Sequence, residues 1–166
     1  MSSQTVLYLV IGVAVLGLLI VRQLRTRPVR GNERLILILG IIGLVEAVEY
    51  MQKLHTGSAA YVALIGSLVL AAIFGVARAA TVRIWLENGV ALAKGNVLTA
   101  VLWVAAVAAH LGYDYLIGQH KDIGNLGDAT VVLYLAVSLA VQRVVTSMRA
   151  NRLGASPASS VGARPF

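Results

Sequence analysis

The chain has 166 residues, of which 58% are hydrophobic and only 13% charged, with a net charge of +7. Mean hydropathy is +0.82. So little charge cannot cover a water-soluble domain, so the chain reads as an integral membrane protein with room for a handful of spans. The basic residues lie between apolar runs, so anionic headgroups explain the positive charge and nucleic acid does not. Cysteine is absent, which excludes thiol chemistry, thiolate metal sites and disulfides.

An apolar first span is predicted over 5–21. Its basic residues follow the apolar stretch and no small-residue cleavage site appears, so it reads as a retained helix and not a signal peptide. Next comes R-Q-L-R-T-R-P-V-R-G-N-E-R, from Arg22 to Arg34, with five arginines against one glutamate. That knot of charge anchors the topology, because Lys and Arg stay on the cytosolic side of a membrane. Pro28 and Gly31 make it a break between helices.

A second span is predicted over 35–50, with Glu46 and Glu49 near its far end. A third, over 59–77, places a small residue at every fourth position: Ala59, Ala63, Ser67, Ala71, Gly75 and Ala79. Such a ridge lets another helix approach closely, either inside the monomer or at a homo-oligomer seam. Arg78 and Arg143 read as interfacial anchors whose long side chains snorkel to water.

The segment from Thr81 to Gly95 is different. Val82, Ile84 and Leu86 alternate with Arg83, Trp85 and Glu87, and Asn88-Gly89 follows. This predicts a β-hairpin, since both turn residues accept positive φ. The two-residue turn pairs Leu86 with Ala91 and Trp85 with Leu92, and sets Arg83 opposite Lys94. Two like charges side by side call for acidic lipid or a partner on that face. A two-stranded hairpin is marginal by itself, so it is expected at the inner interface with Trp85 at headgroup depth. A helical extension of the third span is the alternative.

A fourth span is predicted over 97–116, with Trp103 midway and His110, Tyr113, Asp114 and Tyr115 near its end. A fifth runs over 129–147, with Arg143, Arg149 and Arg152 at its inner end. Residues 151–166 have the composition of a flexible tail. Tyr50, Tyr61, Tyr113 and Tyr115 are placed as an outer aromatic belt.

The predicted fold is thus an all-α polytopic bundle of five transmembrane helices, one domain over 1–150, with a short cytoplasmic hairpin between the third and fourth. The arginines of the first loop, the hairpin and the tail put the N-terminus outside and the C-terminus in the cytosol. Composition suggests a bacterial plasma membrane.

Ionisable groups within a bilayer are costly and need a reason. Glu46 lies roughly 16 Å up its helix and His110 roughly 20 Å up a helix of the same direction, at 1.5 Å per residue. Glu49 and Asp114 follow on the same faces. A Glu46/Glu49 pair facing a His110/Asp114 pair is therefore the candidate polar site, with His55 and His120 above it. It could glue helices, hold a divalent metal or haem, or relay protons or a solute. No metal-binding helical motif, serine elbow, paired-aspartate motif or phosphate loop is present, so no catalytic residue is assigned.

The leading expectation is a non-enzymatic structural or accessory subunit. It would act through helix packing and a basic cytoplasmic face. The alternative is a small transporter or a metal- or haem-binding protein.

The string R-Q-L-R-T-R-P-V-R after an apolar span, a later V-R-I-W-L-E-N-G-V and two closing spans resemble the CcdC-like family of small bacterial membrane proteins. The likeness would cover roughly Val6 to Leu153. It implies a link to cytochrome c maturation by name only, and carries no functional residue to this chain. The absence of cysteine weighs against a thiol-redox role.

Overall fold

The computed structural model describes residues 24–29, 33–53, 58–117 and 126–154, with Val10, Ala14, Gly17, Leu18, Ile20 and Val21 before them. These residues form β1 (Arg27–Pro28), α1 (Glu33–Lys53), α2 (Ser58–Thr81), β2 (Arg83–Glu87), β3 (Val90–Lys94), α3 (Val97–Ile117) and α4 (Leu126–Arg152). Among the described residues four helices thus stand where five were expected over the whole chain. The first expected span, 5–21, falls largely outside the described residues, although its few described positions are helical. His55, His120 and residues 155–166 of the tail also lie outside them.

Among the described residues, three helical stretches are long and apolar enough to cross a membrane: Ser58–Thr81, Val97–Ile117 and Ala129–Arg152. α1, with Arg34, Glu46, Glu49 and Lys53 along it, is not among them. Many of the large side chains these helices turn outward are apolar, including Ile41, Val62, Ile65, Val101 and Leu111. That inverts the usual soluble surface and suits hydrocarbon as solvent.

α4 is the hub, and both α1 and α2 pack along it. The small-residue ridge of α2 makes this possible. Ala63, Ser67, Ala71, Gly75 and Ala79 are all buried, while Ala59, its first member, is exposed. A Cβ on Gly75 would lie 2.7 Å from the Ser138 carbonyl oxygen. A Cβ on Gly43 of α1 would overlap the Leu133 backbone. The ridge that left a homo-oligomer open is therefore occupied by α4 of the same chain.

At the end away from the strands, Ala60, Ala63 and Leu126 form a cluster under Tyr50, Met51, Leu64 and Ile117. Tyr61 and Tyr115 face outward there, as a belt would. Tyr113 instead turns inward and donates to the Ala63 carbonyl at 2.9 Å.

The hairpin has the expected register: Arg83 opposite Lys94, Trp85 opposite Leu92 and Leu86 opposite Ala91. Asn88 and Gly89 both have positive φ, 51° and 78°, which makes a type I′ turn. What sequence did not anticipate is a third strand. Arg27–Pro28, from the arginine-rich loop, pairs antiparallel with β3, giving the order β1-β3-β2. Val29 N–H donates to the Ala91 carbonyl at 2.9 Å, so Val29 and Ala91 form a hydrogen-bonded pair. Pro28, opposite Leu92, then takes the adjacent non-hydrogen-bonded position on an edge strand, where its missing N–H costs no ladder bond. A third strand also removes the marginality of a lone hairpin.

The sheet is clamped to the helix ends. The Asn96 side chain accepts from Thr99 N–H (3.0 Å), and Thr99 Oγ1 accepts from Asn96 N–H (3.1 Å), a reciprocal cap on α3. Asn96 Nδ2 donates to the Thr81 carbonyl at the end of α2 (3.1 Å). Arg149 of α4 donates to the carbonyls of Ala79 and Val82. A basic side chain from a third element thus closes the C-terminus of α2. α4 itself runs to Arg152, beyond the expected 147 and into the segment assigned to the tail. It closes on Gly154 at φ 81°.

Two outcomes check this architecture. Pro28→Cys with Leu92→Cys, in a chain without native cysteine, should form an intramolecular disulfide, since non-hydrogen-bonded pairs lie about 4.5 Å apart between Cα atoms. Gly43→Ala should destabilise the bundle by about 1–3 kcal/mol in detergent unfolding, because the clash is with backbone.

Candidate functional site

The four residues singled out from sequence are dispersed. Glu46 and Glu49 are exposed on α1, and Glu49 pairs with Lys53 at 3.5 Å. α1 packs on α4 and makes no extended contact with α3. His110 of α3 is buried, 3% exposed, with its ring 4.4 Å from that of Tyr134 on α4. Asp114 is half-buried, and its carboxylate lies against the Gly127 backbone, where a Cβ would fill the same space. A carboxylate in the first turn of α4 complements the positive end of that helix. So His110 and Asp114 each face α4, not Glu46 and Glu49. No group of three or more His, Asp or Glu side chains able to hold a metal exists among the described residues.

The polar groups that do come together are on α2, α3 and α4, nearer the sheet. Arg78 is fully buried, 0% exposed, and so is Trp103. The Arg78 Cζ lies 3.8 Å from the Trp103 ring centroid. Arg78 Nε donates to the Phe74 carbonyl at 3.3 Å, and Nη2 donates to Ser138 Oγ. Next along α4, Tyr134 is also buried and donates its hydroxyl proton to the Ala106 carbonyl of α3 at 3.0 Å. Towards the sheet, the Thr81 and Thr99 hydroxyls share a hydrogen bond of 2.8 Å. From Thr99 to His110, a seam of polar and aromatic side chains runs up the middle of three helices.

The expected snorkelling of Arg78 is thus corrected. Its face explains why. Arg78 is three residues after Gly75 and seven after Ala71, on the same stripe that faces α4. Residues on that stripe are buried whatever their charge. Ser138, Gln142 and Thr146 of α4 are buried too, at four-residue spacing. That four-residue spacing is the signal the sequence carries for a polar face of α4 turned inward. Arg143, the other expected anchor, is half-buried and lines a groove with Ile36 and Leu37.

Energetically the Arg78 site is demanding. Taking a guanidinium out of water costs several kcal/mol, and stacking on tryptophan returns about 2 kcal/mol when desolvated. One hydroxyl and one helix carbonyl add neutral acceptors and no negative charge.

Glu46→Gln should leave stability within about 0.5 kcal/mol of the parent, as for an exposed side chain. His110→Ala should cost about 2–4 kcal/mol, because it opens a cavity beside Tyr134. Thermal melts of the two variants in detergent separate a shared site, in which both would matter, from the dispersed arrangement.

Compared with protein-family models, with curated proteins and with solved structures, the chain matches none.

Proposed function

We propose that this chain is a non-enzymatic structural or accessory subunit of a bacterial plasma membrane. It works through a basic platform at the cytosolic surface. The observation that carries this reading is the three-stranded sheet. Two basic segments, far apart in sequence, meet in it at one end of the bundle. Arg149 ties the inner end of α4 to the same place. On this reading the end that carries the clustered Lys and Arg is the cytosolic one and the N-terminus lies outside, as the positive-inside rule expects.

The platform has a directional surface. Ala91 and Ala93 are buried, so side chains of alternate parity lie on the other face. That face carries Pro28, Leu92 and Trp85 in a row across the three strands, with Arg83 and Lys94 paired beside them. Trp85 donates to Glu87 at 3.4 Å, which holds the indole at the edge of the row. An apolar strip with a tryptophan and a basic pair suits anionic headgroups and the flank of a membrane partner. The resemblance to the CcdC-like family fits such an accessory part and adds no residue to it.

Single cysteines test the orientation: Glu87→Cys should resist an impermeant thiol reagent added outside cells, and Lys53→Cys should react. Labelling of Glu87→Cys from outside would reverse the assignment. In nanodiscs, with Trp103→Phe so that Trp85 alone reports, brominated anionic lipid should quench fluorescence in preference to brominated zwitterionic lipid. Arg83→Glu with Lys94→Glu should weaken that preference about tenfold or more, at about 1 kcal/mol per charge. A photoreactive residue at position 92 should cross-link a protein in native membranes; cross-links to lipid alone would reject the accessory role.

A further inference from the structure

A groove of about 410 Å³ runs between α1 and α4, apart from the strip on the sheet. Ile36 and Leu37 of α1 form one wall, and α4 forms the other. α4 lines it with two stripes at four-residue spacing. Ala140, Val144 and Met148 are apolar, and Arg143, Ser147 and Asn151 are polar. Gly43 packs on Leu133, and Tyr50 and Met51 pack on the cluster that holds Leu126, so the two helices run antiparallel. Ile36, seven residues before Gly43, therefore comes level with Ala140, seven residues after Leu133. By the same register Arg143 stands level with Glu33, the first residue of α1, and Ser147 and Asn151 project past it. The groove is thus apolar at its deep end and polar where α4 runs on towards the sheet. Leu37, Val144 and Met148 are all more than half exposed, so it opens sideways from the bundle.

We propose that this groove binds one anionic glycerophospholipid from the leaflet at the sheet end. Its acyl chain lies along Ile36, Leu37, Ala140 and Val144, and its phosphodiester meets Arg143. A guanidinium presents two parallel N–H donors to a phosphate, and the Ser147 hydroxyl and Asn151 amide add donors for a glycerol headgroup. Arg143 is the one charged side chain among the described residues lining the groove. The site thus offers a cation and no carboxylate. A headgroup with a net negative charge matches it, whereas a zwitterionic one brings an ammonium that no lining acid receives. Basic pockets between membrane helices take anionic headgroups for this reason. The size favours a lipid chain over a partner helix. From Ala140 to Asn151 the groove is roughly 16 Å long, and a helix 10 Å across would fill about 1,300 Å³ of that length. The volume of about 410 Å³ lies instead in the range of small-ligand sites, about 300–1,000 Å³. A lipid seated there fastens the start of α1 to α4.

The test uses the full chain in phosphatidylcholine nanodiscs, with a fluorophore on Met148→Cys, the sole thiol of a chain without native cysteine. Phosphatidylglycerol carrying a nitroxide on its acyl chain is added in increasing fraction. It should quench the label along a saturable curve, at a midpoint about fivefold below that of nitroxide-labelled phosphatidylcholine. Arg143→Gln should bring the two midpoints together, and Arg143→Lys, which keeps the charge, should hold them apart. Ala140→Phe fills the groove without changing charge, and should leave quenching by both lipids linear and equal. Should Arg143→Gln not fold, Ala140→Phe decides by itself. Equal midpoints in the parent would overturn the proposal. So would a preference that survives Arg143→Gln or Ala140→Phe. A label that neither lipid quenches would mean that protein covers the groove, and would overturn it too. Arg83→Glu with Lys94→Glu should leave both midpoints unchanged. No readout depends on which end of the bundle faces the cytosol, so the platform can fail without the groove failing.

Discussion

The structure depends on how closely two helix backbones can approach α4. Hydrocarbon gives helices no hydrophobic reason to associate, so packing and a few polar contacts must hold them together. Gly75 and the alanines of α2 bring one backbone against Ser138, and Gly43 of α1 brings another against Leu133. With α4 gripped on two sides, its polar stripe is committed to the interior. Ser138 and Tyr134 then meet Arg78 and His110, which lie on the inward faces of α2 and α3.

The sheet stands on the same frame. Thr81 ends α2 and Asn96 begins α3, and a side-chain hydrogen bond from Asn96 to the Thr81 carbonyl joins the two ends. The hairpin between them is therefore held at its base. Arg149 reaches across from α4 to the carbonyls that α2 leaves open. β1 then adds to the free edge of β3 and covers one otherwise exposed row of backbone groups. A basic loop that read as a mere break between helices becomes part of a folded surface.

Legibility differed from place to place. The hairpin was readable residue by residue, because Asn88-Gly89 determines the turn and the turn determines the register. The small-residue ridge was readable as a close-packing face, but not which helix would fill it. The candidate site was the weakest reading. Equal depth and equal direction made Glu46 and His110 look like partners, yet depth says nothing about which helices are neighbours. α1 went to α4, and Glu46 and Glu49 stayed on the outside. Arg78 departs from the snorkelling of helix-end arginines because its position on the alanine stripe turns it inward.

What the sequence determined by itself was everything local or compositional. That includes the apolar helices, their approximate limits, the turn at Asn88-Gly89 and the separation of basic from acidic ends. Each follows from residues within a few positions of one another, or from the cost of charge in lipid. Only the tertiary structure decided that β1 joins the hairpin, that α4 is the hub and that Arg78 stacks on Trp103. Those contacts join residues far apart in the chain. Several helix arrangements can bury the same apolar faces in lipid, and choosing among them rests on the fit of particular side chains.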